Sequence, residues 1–351
     1  MRTLNREELE DILWGCTLLG TGGGGDFAMG WSRIEADLAA GREFRMVSLD
    51  ELDDEDMIGS PYFCGSLISI QKAGKEGVVV QDIFAFEALQ DHFGKPFAAA
   101  ISTELGGLNT ASALSVAANM GIPIVDADPA GRAVPELQHS TFFLNDIPMV
   151  PMAIASRTEK MIITEAFDDL KAEALVRGVA LLNNGNVGVT DHVVKGKVLK
   201  KTVIGGMLSY AEQLGKAIRE KDCEKAAQVG GGFVLFQGTV NSISCEEREG
   251  FTWGNVFIRN GDDEYEIRYK NEHYVSFRNS EIDVTVPDLI CIMDSETAEP
   301  ITNPNCKEGD NVTVVGFPGP KEWRTERGLK IFGPSHFNLD DAYIPIEEKY
   351  K

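Results

Sequence analysis

The apolar residues near the N terminus predict two consecutive helices. In the first segment they recur at helical spacing, at Leu9, Ile12, Leu13 and Cys16. Asn5 and Glu8 form a capping-box pattern at its start, and Gly20 is placed to end it. Asp26 can cap a second helix, which Gly41 ends. The glycine run between them therefore connects a helix to a helix.

Short apolar runs further along the chain predict buried strands. The stretch GVVVQDIFAFEALQDHFG predicts a strand or loop that leads into a helix. PFAAAIS and IPIVDAD predict buried strands, and TASALSVAANMG between them predicts a helix. Strand, helix and strand at this spacing favour a right-handed crossover in a parallel sheet.

The pattern changes near residue 165. EAFDDLKAEALVRGVALLNNG predicts a helix, VGVTDHVVKGKVLKKTVIGG predicts a pair of strands, and MLSYAEQLGKAIREK predicts another helix. From Gly232 onward, short β-rich runs alternate with Gly, Asn and Asp turns. The second half is therefore expected to be mainly β.

The length of 351 residues exceeds what one ordinary hydrophobic core supports and suits two domains. We predict an α+β protein overall. Residues 1–165 are expected to form an α/β domain that has a parallel or mixed sheet and contains the glycine-rich loop. Residues 166–351 are expected to form a β-rich domain with inserted helices. Because no flexible linker separates them, the two domains should pack tightly.

Charge and hydropathy exclude several classes of partner. The formal net charge of −22 repels nucleic acid and anionic lipid head groups, and no Lys/Arg-rich run offsets it locally. No segment is apolar for the ~20 residues that a bilayer-spanning helix needs, and the N-terminal stretch lacks a secretory signal pattern. We expect a cytoplasmic homo-oligomer that takes a small-molecule substrate and binds neither nucleic acid nor a membrane.

The cysteines and histidines show no metal-site or redox spacing. Six cysteines are scattered without a C-x-x-C pair, which favours reduced thiols. Three that lie within apolar runs are predicted to be core residues and not nucleophiles: Cys16, Cys64 and Cys291. The five histidines have no metal-ligand spacing, although ligands distant in sequence could converge in space. The polar clusters at 191–192 and 271–273 are interpreted as turn or strand-end groups.

The glycine run resembles a phosphate-binding loop only superficially. Such a loop usually follows a strand and carries G-x-G-x-x-G or a Lys-Ser/Thr pair, whereas this run follows a helix and has no lysine. A tight turn explains one or two glycines but not four. We predict that the loop forms one wall of a small-molecule site, with nucleotide binding as the alternative. The residues assigned to substrate binding are Gly22, Gly23, Gly24, Gly25 and Asp26.

A second candidate segment is STELGGLNTASA, just past a buried strand. Ligands in open α/β sheets bind at this carboxyl edge of the strands. Glu104 is therefore a candidate catalytic residue, and Asn109, which can cap the next helix, a candidate for substrate binding. The alternative is that Glu104 is only a solvated loop residue.

The richest segment is IVDADPAGRAVPELQHST. Asp126 and Asp128 are two apart on a predicted strand, so both side chains should leave the same face, where one carboxyl could act as acid and the other as base. Arg132 could pair with them or grip an anionic substrate. Glu136 and Gln138 follow and are assigned to substrate binding. The alternative is a structural salt-bridge network of the two aspartates with Arg132.

Several segments resemble a bacterial and archaeal family named after S-methyl thiohydantoin desulfurase. The resemblance runs from the first helix to about residue 340, and DADPAGRAVPELQ is its most specific part. It implies an N-terminal α/β domain and a β-rich C-terminal domain. His139 departs from the family pattern, which has an apolar residue there, so a general catalytic role for it is in doubt. The matching segments are LGTGGGGD, TELGGLNT, DADPAGRAVPELQ, NEHYVSF, PDLICIMDSETAEPIT and EWRTERGLKIFGPSHF.

The resemblance implies a role in the breakdown of hydantoin-like rings. In the reaction that names the family, water would replace an S-methyl group at an amidine-like ring carbon and release methanethiol. Such chemistry needs an acid and a base, for which we favour Asp126 and Asp128, with Glu104 as substitute. Arg132 would hold an anionic substituent. A bound divalent metal ion could activate the water instead.

Relatives of this family also occur fused to, or encoded beside, hydantoinase/oxoprolinase-type proteins. The alternative function is therefore a non-catalytic or regulatory subunit of such a complex. A large exposed apolar patch and the absence of an enclosed polar pocket would favour that alternative.

Overall fold

Two large β-sheets organise the chain in the computed structural model, which describes residues 1–66 and 80–350. The strands are β1 (Arg2–Leu4), β2 (Phe44–Val47), β3 (Met57–Gly65), β4 (Ala99–Ala100), β5 (Ile124–Val125), β6 (Ala127–Asp128), β7 (Met152–Ala155), β8 (Lys160–Ile163), β9 (Asn186–Lys195), β10 (Ile204–Gly205), β11 (Phe233–Arg248), β12 (Phe251–Asn260), β13 (Asp263–Lys270), β14 (Glu272–Arg278), β15 (Glu281–Thr285), β16 (Leu289–Asp294) and β17 (Asn311–Phe317).

Helices cover the sheets and connect their strands. The α-helices span Arg6–Leu19, Phe27–Ala39, Gln81–Phe93, Gly107–Met120, Thr141–Leu144, Asp169–Leu182, Gly196–Thr202, Met207–Ile218, Cys223–Val229, Glu326–Phe332 and Ile346–Lys349. Shorter 3-10 helices span Leu49–Glu51, Asn303–Asn305 and Pro334–Phe337.

The first sheet has eight strands in the order β1-β2-β5-β4-β3-β9-β7-β8. Its centre, from β2 to β3, is parallel, and the remaining pairs are antiparallel. The helix Gly107–Met120 connects the parallel neighbours β4 and β5, as the strand-helix-strand pattern predicts. The predicted mixed sheet is confirmed.

The second sheet is antiparallel, with seven strands in the order β15-β14-β13-β12-β11-β17-β16. It confirms the β-rich second half. Strand β9 and the helix Met207–Ile218 also come from that half, yet β9 lies in the first sheet, and the helix packs into the largest hydrophobic core beside Leu9 and Ile12. The two halves of the chain therefore share one core, which holds them together tightly.

The ends of the first two helices confirm the capping patterns in the sequence. Asn5 caps the helix Arg6–Leu19 and forms the full capping box with Glu8, and Gly20 is the C-cap. The Asp26 carboxylate caps the helix Phe27–Ala39 by accepting the N–H of its third residue at 2.8 Å. These caps satisfy backbone donors that the helices leave unpaired, and each contributes about 1 kcal/mol.

Two predicted strands differ from the observed structure. In place of a strand pair, β9 is followed by the helix Gly196–Thr202. The predicted strand at 122–128 is interrupted at Asp126, so that β5 stays in the first sheet while β6 pairs with β10. The helix Gln81–Phe93 confirms the later part of its predicted segment, whereas 77–79 lie outside the described residues.

The three cysteines predicted to be core residues are buried, which confirms that prediction. Burial raises the pKa of the Cys64 thiol to about 11 and those of Cys16 and Cys291 to about 12. Such thiols stay protonated at neutral pH and are poor nucleophiles. Among the described residues, no helix is long and apolar enough to cross a bilayer.

Candidate active site

A cleft that contains several ionisable side chains, hereafter the cleft, forms where the glycine loop meets strands β3, β9 and β14. Each of the three segments singled out in the sequence contributes to its lining, so the structure brings them together. The lining residues are Gly24, Gly25, Tyr62, Phe63, Cys64, Gly65, Thr103, Glu104, Leu108, Asn109, Val134, Pro135, Leu137, His139, Ser140, Arg177, Asp191, His192, Asn271 and Glu272.

The glycine loop closes over the N terminus of the helix Gly107–Met120. The carbonyl of Gly25 accepts the N–H of the first helical residue at 3.1 Å, and the carbonyl of Gly24 accepts the next two, each at 3.1 Å. A phosphate bound at a helix N terminus would need these same donors. Because the loop's own carbonyls already use them, the geometry counts against nucleotide binding at this position.

The glycines also allow the loop to approach a carboxyl group closely. A Cβ at Gly23 would collide with the Glu272 carboxylate. Gly24 has a φ of +66°, in the left-handed region, and its N–H donates to Glu272 Oε1 at 3.3 Å. Gly22 lies behind the cleft, where its carbonyl accepts the N–H of Asn303 at 2.9 Å. The loop therefore positions Glu272, and only Gly24 and Gly25 line the cleft.

Glu104 and Glu272 are two nearly inaccessible carboxyl groups in the lining, 7% and 3% exposed. Glu104 accepts the Asn109 side-chain amide at 2.7 Å and the Val134 N–H at 2.8 Å, and burial raises its pKa to about 7. Burial, and then the charge of Glu104, raise the pKa of Glu272 well above its usual range. This shift favours the protonated carboxyl, which is the form that can donate a proton.

Across the cleft, Asp191 orients His192. The Asp191 carboxylate contacts His192 Nδ1 at 2.9 Å and accepts the Tyr62 hydroxyl at 2.7 Å. The other imidazole nitrogen, Nε2, is buried and has no hydrogen-bond partner in the described part of the chain. A carboxylate that holds Nδ1–H leaves Nε2 as the basic nitrogen, which is the arrangement of a general base.

The backbone at His192 departs from regular strand geometry. Its φ is +43°, a conformation that non-glycine residues adopt only at a cost, and the β3–β9 register shifts opposite it, between Ile58 and Ser60. The imidazole stacks on the Phe142 ring with centroids 4.6 Å apart. Bulges of this kind redirect side chains beside functional sites, and here the bulge places the imidazole in the lining.

Arg132 does not lie in the cleft, contrary to its predicted role of gripping an anionic substrate. Its side chain is fully buried, and each guanidinium nitrogen donates to the protein. The acceptors are the Ala133 carbonyl at 3.0 Å, the Asp288 carbonyl at 3.2 Å, the Thr21 hydroxyl at 2.6 Å and the His273 carbonyl at 2.7 Å. Arg132 therefore connects the two halves of the chain.

Asp126 and Asp128 do not form the expected acid/base pair. Asp126 accepts two backbone N–H groups at the start of the helix Met207–Ile218, both at 2.9 Å, and the Ser209 hydroxyl at 2.5 Å. Asp128 Oδ1 accepts the N–H groups of the tight turn that follows it, at 2.7 and 2.6 Å. Neither residue lines the cleft, because the chain turns between β5 and β6. No ion pair joins either aspartate to Arg132 among the described contacts, so the predicted salt-bridge network is also not formed.

The other sequence-predicted binding residues divide between the cleft and its surroundings. Asn109 lines the cleft and bridges Glu104 to the Phe63 N–H, which donates to its side-chain oxygen at 3.0 Å. Asp26 serves as a helix cap outside the lining. Gln138 donates to Glu136 at 2.7 Å, and neither lines the cleft.

A cluster of Glu136, His139 and His336 adjoins the cleft through His139, which lines it. The His139 ring is fully buried against Phe332, and burial lowers its pKa to about 3, so the imidazole is neutral at physiological pH. The three side chains converge although no histidine spacing in the sequence indicates it.

Sequence reasoning missed several polar residues of the lining, among them Glu272, Asp191, His192, Tyr62 and Arg177. The segments 191–192 and 271–273 stood out as polar clusters, but their interpretation as turn or strand-end groups hid their role. The signal that could have identified them is an ionisable pair inside an otherwise apolar strand, such as DH within VGVTDHVV.

Comparison with protein families supports the resemblance seen in the sequence. The model described as "S-Me-THD-like, N-terminal domain" matches residues 7–166, and "S-Me-THD-like, C-terminal domain" matches residues 167–346. A crystal structure of a protein from Chromobacterium violaceum, a structural genomics target, superposes with a TM-score of 0.83 at 21% identity. The match covers 99% of this chain and 100% of that one and shows a shared fold. Comparison with curated proteins finds no match.

Proposed function

Because the chain belongs to the S-Me-THD-like family, we propose that it is an enzyme that removes a sulfur substituent from a small thiohydantoin-type ring by hydrolysis. The reaction takes place in the cleft. The observation that carries the proposal is the oriented imidazole of His192, with an unpartnered Nε2 in the described part of the chain, in the same lining as the carboxyl of Glu272, whose pKa burial raises. A base and an acid on one cleft are what hydrolysis at a ring carbon requires.

In the first step, His192 Nε2 takes a proton from water while the water oxygen bonds to the ring carbon that carries the S-methyl group. Glu272 gives its proton to the adjacent ring nitrogen. In the second step, the carbon–sulfur bond breaks, the new hydroxyl returns its proton to the Glu272 carboxylate, and the imidazolium protonates the departing methanethiolate. The products are the hydantoin and methanethiol, and both side chains regain their starting states.

Glu104 assists without exchanging a proton in this scheme. Both of its oxygens are held by protein donors, from Asn109 and Val134, so its position is fixed. After burial, the charge of its ionised form is the second cause that raises the pKa of Glu272. Of the acids favoured from the sequence, the proposal therefore keeps Glu104 and replaces Asp126 and Asp128 with Glu272 and His192.

An exposed apolar patch supports an additional proposal, that the chain assembles with a second copy or a hydantoinase/oxoprolinase-type partner. Large exposed apolar side chains on or beside the helix Asp169–Leu182 are Phe167, Leu170, Leu175, Leu181 and Leu182. A purely non-catalytic subunit would have no use for the ionisable side chains that the cleft brings together. We therefore favour catalysis in the cleft, with assembly through the patch.

The test is turnover of S-methyl thiohydantoins by the purified chain, measured as methanethiol with a thiol reagent and as ¹⁸O incorporated from labelled water. His192→Asn keeps a residue that tolerates positive φ and should lower kcat by ~10²- to 10⁴-fold. His92→Asn, on the exposed end of the helix Gln81–Phe93, is the matched control and should leave kcat unchanged. Full activity of His192→Asn would refute the role of His192, and no methanethiol from any such ring would refute the function.

A further inference from the structure

Three side chains with metal-binding atoms meet beside the cleft. His139 and His336, 197 residues apart in sequence, place their Nε2 atoms 3.2 Å from each other. His336 Nε2 lies 3.1 Å from Glu136 Oε1, and His139 Nε2 lies 3.9 Å from Glu136 Oε2. All three ligand atoms fall within 4.8 Å of one another. The tertiary fold thus directs two imidazole nitrogens and one carboxylate toward a single point.

The 3.2 Å between the two imidazole nitrogens matches the separation of two atoms bound to one small cation. Two nitrogens at ~2.0 to 2.1 Å from a tetrahedral zinc ion are about 3.3 Å apart. Without a cation, two neutral imidazole nitrogens can lie this close only if one of them carries a proton and donates it in a hydrogen bond to the other. With a cation between them, both nitrogens can offer their lone pairs as ligands. The packing of His139 against Phe332, with ring centroids 4.6 Å apart, holds its ring in place before any ligand arrives.

We propose that Glu136, His139 and His336 bind a divalent transition-metal ion of the zinc class, with the remaining coordination position open. Two imidazoles and one carboxylate are a donor set that zinc-type ions accept and that calcium or magnesium, which prefer oxygen ligands, do not. The ion would connect the 3-10 helix Pro334–Phe337 to the loop that lines the cleft. The proposal that this ion binds is independent of the proposed function. Only a role of the ion in turnover rests on the proposed function.

The positive charge of Lys270 lies beside this site, so removing that charge tests whether the site binds a cation. Its ammonium group contacts Glu136 Oε1 and lies 4.1 Å from the centre of the Phe251 ring, in the position of a resident positive charge. A metal ion must share the carboxylate with this charge and is repelled by it. Removing the ammonium should therefore strengthen metal binding, whereas a network of hydrogen bonds alone would gain no affinity for any cation.

The experiment titrates the untagged, chelator-treated full chain with Zn²⁺ by calorimetry and with Co²⁺ by visible absorption. We expect one ion per chain and cobalt bands typical of nitrogen and oxygen ligands. The partly exposed His336 is the ligand to remove: His336→Asn should weaken binding at least about tenfold. Lys270→Met keeps the apolar stem and should tighten binding by about tenfold. His92→Asn is the control and should bind as the wild type does.

Two results would overturn the site. One is zinc affinity that is the same in the wild type and His336→Asn. The other is a Lys270→Met variant that binds no more tightly than the wild type. Methanethiol release is measured on both the zinc-free and the zinc-loaded chain. A chain that is inactive in both forms but binds one zinc ion refutes the proposed function and leaves the metal site standing.

Discussion

The cleft and the strand end at 126–128 both contain buried carboxyl groups, but their surroundings differ. Asp128 Oδ2 and Glu272 Oε2 are both buried without a partner in the described part of the chain, and burial raises the pKa of both groups. Only Glu272 lies in the lining of the cleft. A raised pKa by itself therefore does not identify a catalytic acid, since a substrate must also be able to reach the group.

The largest difference between the two regions should appear in turnover. Glu272→Gln keeps the shape but cannot transfer a proton, so we expect kcat for methanethiol release to fall by ~10²- to 10⁴-fold with little change in melting temperature. Asp128→Asn makes the same chemical change outside the cleft and should keep kcat near the wild-type value. Equal losses in the two variants would contradict the comparison.

A substitution of Arg132, which follows the strand end at 126–128 in the sequence, tests whether this residue has a structural role. Arg132→Met removes a buried guanidinium that donates to both halves of the chain, and we expect the free energy of unfolding to fall by about 3 kcal/mol or more. Urea denaturation measures this loss. Because the arginine does not line the cleft, the folded fraction should retain wild-type KM. A stable variant with a raised KM would restore the substrate-gripping role predicted from the sequence.

The smallest expected effect is a pH dependence of stability at Asp128. Burial raises its pKa from 3.8 to about 7. The stability that Asp128 contributes is fully present at pH values below its pKa in the unfolded chain. It is lost as the pH rises through about 7, because the unfolded chain releases the proton first. Asp128→Asn is always neutral. We compare the free energy of unfolding of Asp128→Asn with that of the wild type. We expect the variant's advantage to be larger at pH 8 than at pH 4.5, by on the order of 2 kcal/mol.

Unfolding free energies of both proteins at the two pH values check this expectation. The difference between variant and wild type removes the contribution of the other titrating groups. A difference that does not change with pH would mean that Asp128 is already charged in the folded state.

Local patterns determined much of the fold. The capping box at Asn5, the Asp26 cap and the apolar spacing of the first helices are short-range features, and the structure reproduces them. The strand-helix-strand pattern likewise sufficed to predict the parallel pair of β4 and β5. Each of these features depends on contacts within a few residues or one crossover, which a single sequence displays directly.

The sequence also identified segments of the candidate site, but not all of the residues that line it. The glycine loop, Glu104 and Asn109 do meet in one cleft. Asp126 and Asp128 were expected to share a face, but a strand has that alternation only while it stays regular, and this one is interrupted between them. At the interruption, the Asp126 carboxylate accepts two backbone N–H groups at the start of the helix Met207–Ile218, which comes from the other half of the chain.

The tertiary structure alone decided which polar groups line the cleft. Glu272 reaches Gly24 from 248 residues away, and His139 meets His336 across 197 residues. Such pairs depend on how the two sheets pack around a common core, and no local periodicity encodes that packing. The sequence by itself determined most of the elements, the caps of the first two helices and the family. The placement of the ionisable groups in the cleft followed only from long-range contacts, because burial and proximity arise when distant segments share one core.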